Sequence, residues 1–489
     1  MKMKYINLND CKIIMHYLGK LMQATGIAFL VPVIVAIIYN ETNTILGFLF
    51  VSALSIILGT AFNKISIKSS QMRLKHGMII SSLAWLWASI LGSILMFIVI
   101  KFPLIDGLFE NMSMLTGTGL TLFLDIEALP KSILFLRSFE GWLGGLGIVI
   151  IAIGILIRSG TAASKLYKSE ARDERIKPSI VNTMNKTIEI YIIYTIIGIV
   201  LYVLAGMPLF DSITLCFAMI CTGGMSIKNQ NIGFYHSNII YIISMLIMII
   251  GSISFPVHYK LYFTKGKSVL RDVQFKTMLA LILLSLIIIY GLTKVFNIDI
   301  LFAIITTIST TGANSVPSNV MMSWPRIDIL IILILMIIGA SSGSTVGGVK
   351  IIRVITVIKS FGRTVEGILS PEGRKFPVKI QGKKITDKDT REAASYIILY
   401  LMIILLSWIV IIGCGYSDFN ALFDVISAIG NNGLSSGFTN PGLPILVKLV
   451  LILDMWVGRL EIIPILVSFY GLYDFIKINR KHKKKAKKR

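Results

Sequence analysis

The sequence predicts an all-α polytopic membrane protein with ten transmembrane helices and four re-entrant pore half-helices, arranged as helix–loop–helix repeats around a pseudo-fourfold axis. Three observations predict this fold class. The chain is unusually apolar, it contains ten long apolar stretches, and a glycine-containing pattern recurs four times at the same place between those stretches.

The composition excludes a soluble protein and a disordered one. Of the 489 residues 55% are hydrophobic and 15% are charged, and the mean hydropathy is +0.80. Soluble domains carry about 25% charged residues, and disordered chains are poor in large apolar residues. The four cysteines and five histidines lack metal-ligand spacing, so we expect neither a zinc site nor a disulfide framework.

Ten apolar stretches are long enough for a membrane span, which needs about 20 residues. They cover residues 13–39, 45–62, 77–100, 134–157, 188–206, 237–257, 277–294, 327–357, 394–414 and 444–473. The first stretch is too long for a signal peptide and has no small-residue cleavage site, so we expect it to remain in the mature protein.

The basic residues predict the orientation. The chain has 48 Lys and Arg against 25 Asp and Glu, which gives a net charge of +23. Forty of the 48 lie in loops on one side, and nine of those forty are in the tail 477–489. Basic loops stay in the cytoplasm, so both termini are predicted to be cytoplasmic. The charge therefore reflects topology and attraction to anionic membrane lipid, and we expect no nucleic-acid partner.

Four segments on the opposite side repeat one pattern. Each starts with Leu-Phe, continues as a short apolar run and ends on a glycine. They are LFENMSMLTGTGLT (108–121), LFDSITLCFAMICTGGMS (209–226), LFAIITTISTTGANS (301–315) and LFDVISAIGNNGLSSG (422–437). The Phe-to-Gly spacing is 10 residues in three copies and 13 in the second. Runs of about 10 residues are too short to span a membrane and are predicted to be re-entrant.

Because each repeat crosses the membrane twice, all four copies share one orientation, which predicts a pore on a pseudo-fourfold axis. Backbone carbonyls can replace the water shell of a monovalent cation, and glycine allows the chain to turn them inward. The glycine turns that end the four segments contain no Asp or Glu, which disfavours a divalent-cation site. The predicted ion-binding residues are Thr118, Gly119, Thr222, Gly223, Thr311, Gly312, Asn432 and Gly433. Four unrelated loops at helix ends are the alternative.

The repeats divide the chain into six parts. These are a two-helix N-terminal hairpin (1–75), repeat 1 (76–186), repeat 2 (187–275), repeat 3 with an intramembrane loop (276–392), repeat 4 (393–476) and a basic tail (477–489).

The stretch 327–357 is interrupted by small polar residues that favour a loop over a helix interior. It lacks the pattern of a phosphate-binding loop. We predict an intramembrane gating loop containing Gly339, Ser342, Gly343, Ser344, Thr345, Gly347, Gly348 and Lys350. Tight packing of small residues is the alternative.

Arg459 is a basic residue that lies well inside the last span. A charge at that depth is costly and usually faces a cavity or a partner. Arg459 therefore either faces the ion path or forms a structural ion pair with Asp454 or Glu461.

The pattern resembles the Trk/Ktr/HKT superfamily of potassium transporters, and within it the TrkH-type uptake subunit. The resemblance rests on the four glycine motifs and on LPKSILFLRSFEGWLGGLGI (129–148), IGASSGSTVGGVKIIRV (338–354) and MWVGRLEIIPIL (455–466). Gly117, where the family often has Thr, and the pair Asn431-Asn432, where it often has Thr-Gly, depart from the pattern.

The resemblance implies several properties. Glycine at all four filter positions implies K⁺ (and Rb⁺) as the transported ion, with no covalently bound cofactor. It also implies that the loop obstructs the pore, and that Arg459 projects into the permeation path. A homodimer in the bacterial cytoplasmic (inner) membrane is implied, together with a cytosolic TrkA-type regulatory subunit through which any nucleotide would act.

Two other functions remain possible from the residues alone. An ion-coupled solute symporter would use the broken helix at 341–348 as its substrate site, although a single site does not need a fourfold repeat. A membrane-embedded enzyme is disfavoured, because the sequence lacks a nucleophile–base pair, a metal cluster and a carboxylate pair.

Overall fold

The computed structural model describes residues 6–66, 72–147, 180–263, 269–371, 378–416, 418–471 and 473. These residues form helices, apart from one two-stranded β-hairpin, so the all-α prediction is confirmed. The basic tail 477–489 and most of the basic loop 158–186 lie outside the described residues.

The N-terminal hairpin contains three helices and packs against repeat 1. Its helices are α1 (Leu8–Ala28), α2 (Val31–Ile38) and α3 (Thr42–Asn63). α1 and α3 cross closely, because Gly19 and Gly59 leave room for each other's backbone. At the outer turn, the carboxylate of Glu41 accepts hydrogen bonds from the amides of Lys131 (2.6 Å) and Ser132 (3.1 Å). Glu41 therefore caps the helix that begins at Lys131, in place of a side-chain cap from Pro130.

The four repeats follow in chain order. Repeat 1 has α4 (Leu74–Ile100), α5 (Leu104–Thr116) and α6 (Lys131–Leu146). Repeat 2 has α7 (Ile180–Leu204), α8 (Leu209–Ile220), α9 (Asn238–Ser252) and α10 (Phe255–Phe263). Repeat 3 has α11 (Val273–Thr293), α12 (Ile298–Ile308), α13 (Ser318–Met322), α14 (Arg326–Ile338) and α15 (Ile351–Leu369). Repeat 4 has α16 (Asp387–Gly413), α17 (Phe419–Gly430), α18 (Ile445–Leu460) and α19 (Ile462–Gly471).

The remaining elements are short. Two 3₁₀ turns cover Asn231–Tyr235 and Val269–Arg271, and β1 (Lys379–Ile380) pairs antiparallel with β2 (Lys383–Lys384) between α15 and α16.

Six helices of the described chain are long and apolar enough to cross a membrane, and a seventh span counts α9 and α10 together. Two predicted spans bend or break sharply, and a third, 13–39, is divided between α1 and α2. The stretch 237–257 bends by 102° between α9 and α10, where Pro256 lacks the amide that a continuous helix needs. The stretch 444–473 breaks at Glu461, whose φ is +65°. The stretch 134–157 is helical to Leu146 and then leaves the described residues.

The half-helices α5, α8, α12 and α17 have 13, 12, 11 and 12 residues, too few to span a bilayer. Each packs against the helices that flank it in its own repeat and against the helix that closes a neighbouring repeat. The contacts between repeats are α6 with α8, α9 with α12, α14 with α17, and α18 with α5. Because the last contact returns to repeat 1, the four repeats form a closed ring.

Candidate functional site

The C-terminal ends of the four half-helices meet in the middle of this ring. After each helix, one residue takes a left-handed backbone conformation: Gly117, Thr222, Thr310 and Asn431, with φ between +48° and +67°. Two residues later comes a glycine with φ between +60° and +95°: Gly119, Gly224, Gly312 and Gly433. The same backbone path is therefore repeated four times.

The hydrogen bonds of this turn show which residues correspond. In repeat 1 the amides of Thr118 and Gly119 both donate to the carbonyl of Ser113. In repeat 2 the amides of Gly223 and Gly224 donate in the same way to Ala218. The structural counterpart of Gly119 is therefore Gly224 and not Gly223, which the sequence pattern assigned.

The sequence pattern misaligned the second repeat because of its Leu-Phe pair. Leu209 and Phe210 start α8, whereas Phe109, Phe302 and Phe423 lie in the middle of their half-helices. A different spacing identifies the glycine correctly. An Asp or Asn occurs 13 residues before it in every repeat, at Asp106, Asp211, Asp299 and Asn420.

The four glycines touch one another's repeats in a cycle. A Cβ atom on Gly119 would lie 2.6 Å from the carbonyl oxygen of Gly223. At each of the other three glycines, an added Cβ would also lie within 3 Å of a carbonyl oxygen of the next repeat. That oxygen belongs to Thr311 for Gly224, to Asn432 for Gly312 and to Thr118 for Gly433. A side chain cannot be placed that close to a carbonyl, so glycine is required at all four positions by space as well as by φ.

This arrangement brings the carbonyl groups of Thr118, Gly223, Thr311 and Asn432 into one ring. Neutral carbonyl oxygens suit a dehydrated monovalent cation, because they replace its water without holding it by a full charge. The half-helices also direct their partially negative C-terminal ends toward the ring. Among the described residues, no group of three or more His, Cys, Asp or Glu could hold a metal ion, so backbone oxygen is the suitable ligand here.

Two buried carboxylates hold the chain just beyond the glycines. Glu110 accepts hydrogen bonds from the hydroxyl of Thr121 (2.7 Å) and from the amide of Leu122. Asp424, at the corresponding position of repeat 4, accepts from the amide of Ser436 (2.7 Å). The guanidinium of Arg137 lies 3.4 Å from the carboxylate of Glu110, and the two form a buried ion pair. These carboxylates therefore hold the chain that follows the ring glycines of repeats 1 and 4.

The asparagines of the fourth motif connect neighbouring repeats. The side-chain amide of Asn432 donates to the carbonyl of Thr307 in repeat 3 (2.9 Å). The side-chain amide of Asn431 donates to the hydroxyl of Thr118 in repeat 1 (3.0 Å) and to the carbonyl of Met455 (2.8 Å). The two asparagines, which stand where the family often has Thr-Gly, thus form hydrogen bonds to both neighbouring repeats.

The outer loops connect repeats 1 and 2. The side chain of Asn229 accepts from the amide of Ile126 (2.7 Å) and donates to Asp125 (2.9 Å). This hydrogen bond lowers the pKa of the exposed Asp125 carboxyl below its ordinary value. Lys228 lies 3.6 Å from Glu127.

The predicted gating residues from Gly339 to Lys350 form one irregular, largely buried loop between α14 and α15. Its ends are joined, because the amides of Lys350 and Ile351 donate to the carbonyls of Ile338 (2.8 Å) and Ala340 (3.0 Å). Non-helical backbone inside a membrane survives only where protein or a wet cavity surrounds it. From here on, residues 339–350 are called the loop.

The loop lies against the half-helix ends. The hydroxyls of Thr345 and Thr222 are 3.0 Å apart, and the amide of Gly347 donates to the hydroxyl of Thr310 (2.9 Å). A Cβ on Gly347 would lie 2.9 Å from the Cβ of Asn431. The loop therefore touches the left-handed residue of repeats 2, 3 and 4, next to the carbonyl ring.

Arg459 lies beside the loop, close to the half-helix ends. Its guanidinium donates to the carbonyls of Thr345 in the loop and of Gly144 and Gly145 at the end of α6 (3.2 Å to Gly145). The two proposed ion-pair partners are engaged elsewhere, since Asp454 accepts from Ser407 (2.7 Å) and Glu461 pairs with Arg353 (2.7 Å).

The far end of the loop is attached to the break after α18. Glu461 lies 3.6 Å from Lys350 and accepts two hydrogen bonds from Arg353, at 2.7 and 2.8 Å. We call these three residues the latch. It connects the loop of repeat 3 to the last helix of repeat 4.

Sequence analysis missed a second set of glycines. Gly144, Gly251 and Gly458 lie near the ends of α6, α9 and α18, and a Cβ on each would lie within 3 Å of a carbonyl of the half-helix in the same repeat. Gly339 holds the corresponding place in repeat 3, where the loop begins. The recurrence of one glycine 25 or 27 residues after each ring glycine would have identified this set.

It also missed a buried ion pair on the outer side. Lys448 of α18 and Asp106 of α5 are 2.6 Å apart, and they are 5% and 7% exposed. Lys448 also donates to the carbonyl of Pro441 (2.8 Å). This pair joins repeat 4 to repeat 1, where the ring closes.

Comparisons with known proteins agree on one family. The model of the TrkH family, described as a cation transport protein, matches residues 41–318 and 296–474. An uncharacterized cation transporter of Methanocaldococcus jannaschii is 39% identical over 466 residues, which cover 95% of this chain and 96% of that protein.

Two further proteins are similar along nearly their whole length. The Trk system potassium uptake protein TrkG of Escherichia coli is 28% identical over 96% of this chain and 99% of its own. The crystal structure of the potassium transporter TrkH from Vibrio parahaemolyticus has the same fold, with a TM-score of 0.82 at 24% identity, covering 94% of this chain and 98% of that one.

Proposed function

Because this chain belongs to the TrkH family of cation transport proteins, we propose that it is the potassium-conducting membrane subunit of an uptake system. Among its relatives, TrkG and several TrkH proteins are named for potassium uptake. K⁺, and Rb⁺ in its place, is then the transported substrate, and no resident cofactor takes part.

The observation that carries the proposal is the closed ring of four glycines and four carbonyls. K⁺ gives up its water more easily than a smaller cation, and carbonyl dipoles from four sides can replace that water. The ion-binding residues we propose are Thr118, Gly119, Thr222, Gly223, Gly224, Thr311, Gly312, Asn432 and Gly433. Gly224 is added because of its backbone equivalence to the other three ring glycines.

In this proposal, the loop is the gate. It touches three of the four half-helix ends, so a small displacement of Thr345 and Gly347 would change access to the ring. The guanidinium of Arg459 restrains the loop and places a positive charge beside the cation path. Thr345 and Gly347 of the loop are engaged with the half-helix ends, and Thr345 is also engaged with Arg459, which favours a gate over the substrate site of a solute symporter.

The assembly we propose has further parts. The subunit lies in the cytoplasmic membrane of a prokaryotic cell with both termini inside. It forms a homodimer and docks a cytosolic TrkA-type subunit, which would carry any nucleotide. The basic loops on the inner side are suited to that docking.

The test is uptake of ⁸⁶Rb⁺ into vesicles that hold the purified protein, with K⁺, Na⁺ or Li⁺ as competitor. We expect K⁺ to compete best. A Gly119→Ser variant should discriminate less against Na⁺, because its side chain would displace the carbonyl of Gly223. Equal competition by K⁺ and Na⁺ in the unmodified protein would contradict potassium selectivity, and absence of any uptake would contradict transport by this subunit alone.

A further inference from the structure

A cavity of about 830 Å³ lies beside the latch, on the side of the basic loops. Its walls come from the first turns of α4, α15 and α16 and from the start of α19. Arg353 and Glu461 of the latch both line it, so the cavity touches the attachment of the gating loop. No function discussed so far uses this space.

The cavity is lined by three basic residues, Arg353, Lys388 and Arg391, and by three acidic residues. Its three acidic residues are each engaged. The carboxylate of Asp389 accepts from the amide and the hydroxyl of Thr386 (2.8 and 2.7 Å), Glu392 lies 3.7 Å from Lys388, and Glu461 belongs to the latch. Arg391, which is exposed, has no hydrogen bond or ion pair to any described residue. An anion entering the cavity would therefore find Arg391 available and Arg353 beside it.

One wall of the cavity is apolar and exposed. Leu74, Leu399 and Ile463 line it with 37%, 38% and 55% of their surface accessible. In a membrane protein such residues face acyl chains. Basic pockets between helices on the cytoplasmic side are places where anionic lipid headgroups bind. A phosphate group alone would use the basic side of the cavity, whereas a phospholipid would use both sides.

We propose that this cavity binds an anionic phospholipid, with its phosphate on Arg391 and Arg353 and its acyl chains along Leu74, Leu399 and Ile463. The phosphate competes with Glu461 for Arg353, which weakens the latch and releases the end of the loop. Anionic lipid thus promotes opening. The binding site itself stands on the cavity, and only its effect on flux rests on the proposed function.

Binding is tested first without transport. The purified protein is mixed with phosphatidylglycerol or phosphatidylcholine, and bound lipid is counted by native mass spectrometry. We expect preference for phosphatidylglycerol, about fivefold weaker in Arg391→Gln, since one basic residue near the surface contributes about that factor. Arg391→Lys should retain most of the preference. Arg271→Gln is the matched control, because Arg271 is exposed, lies outside the cavity and is on the same predicted face of the membrane.

Three outcomes would overturn the site. They are unchanged preference in Arg391→Gln, an equal loss in Arg271→Gln, which would indicate general surface charge, and displacement of the lipid by glycerol phosphate at equal concentration, which would indicate a free-phosphate site. Each variant is first checked for a monodisperse size-exclusion profile.

Flux is tested second, as ⁸⁶Rb⁺ uptake into phosphatidylcholine vesicles with and without phosphatidylglycerol. Uptake should rise with phosphatidylglycerol in the unmodified protein and in Arg271→Gln, and rise much less in Arg391→Gln. A rise of the same size in Arg391→Gln would overturn the link to the gate. Lipid binding without uptake in any vesicle would instead count against the proposed function.

Discussion

At the scale of single residues, the ring glycines do more than permit a left-handed backbone. Each has a neighbouring carbonyl where its side chain would be, so any larger residue pushes two repeats apart. The adjacent Gly223 differs, because its own Cβ would first meet the sulfur of Cys221 (2.9 Å) within the same repeat. Repeat 2 therefore offers two neighbouring glycines with different consequences.

This difference predicts the outcome of a matched pair of variants. Gly224→Ala should lower ⁸⁶Rb⁺ uptake about tenfold or remove the preference for K⁺ over Na⁺, because overpacking costs about 1–3 kcal/mol. Gly223→Ala should have a smaller effect. The measurement is competitive uptake in vesicles at equal protein content, and the reverse order would show that the backbone equivalence does not identify the filter residue.

Arg459 restrains the loop by its charge and its hydrogen bonds. Arg459→Ala removes the donor to the carbonyl of Thr345 and the positive charge beside the ring. We expect faster uptake with unchanged competition by Na⁺, since the carbonyl ring is untouched. Arg326→Ala, at an exposed outer position, serves as control. Unchanged or slower uptake in a well-folded Arg459→Ala protein would contradict the gating role.

At the scale of elements, each half-helix is held by its own repeat and by the helix that closes one neighbouring repeat. The contact of α18 with α5 closes the ring, and it contains the buried pair of Lys448 and Asp106. Removing one member of a buried ion pair leaves an uncompensated charge, which costs about 3–5 kcal/mol. The pair is therefore a sensitive point of ring closure.

Lys448→Met should lower the melting temperature in detergent, and the double variant Lys448→Met with Asp106→Asn should recover part of that loss. Recovery is expected because the double variant leaves no unpaired charge. Additive losses would show that the two side chains do not interact, and Lys101→Met, at an exposed position, controls for loss of a surface charge.

At the scale of the whole molecule, basic residues and apolar helices define two faces. The outer face carries Glu41, which links the N-terminal hairpin to α6, and the inner face carries the latch and the cavity beside it. Both faces act on the same loop, since the end of α6 binds Arg459, which binds the loop. The orientation of these faces in the cell remains a prediction from charge.

Cysteine labelling tests that orientation. A cysteine at the exposed Lys294 should react with a membrane-impermeant maleimide in intact cells, and a cysteine at the exposed Lys359 only after permeabilisation. Cys11 and Cys414 are first replaced by Ser, while Cys216 and Cys221 are buried. The opposite labelling pattern would invert the topology.

The residues alone predict the fold class, the fourfold repeat, three of the four ring glycines and the residues of the loop. These features are local: a span is a run of apolar residues, and a half-helix and its glycine lie within about 15 residues of each other. Features that depend on distant residues become visible only in the folded chain. Thr118 of repeat 1 and Gly433 of repeat 4 are far apart in sequence but in contact in the fold. Contacts of this kind identify Gly224, and not Gly223, as the ring glycine of repeat 2. They also provide partners for Asn431, Asn432 and Glu461, and they allow the helices at 253–254 and 461 to break. Hydropathy does not reveal these breaks, because the longer runs on both sides of them are apolar. A partner elsewhere in the chain satisfies the exposed backbone and charge.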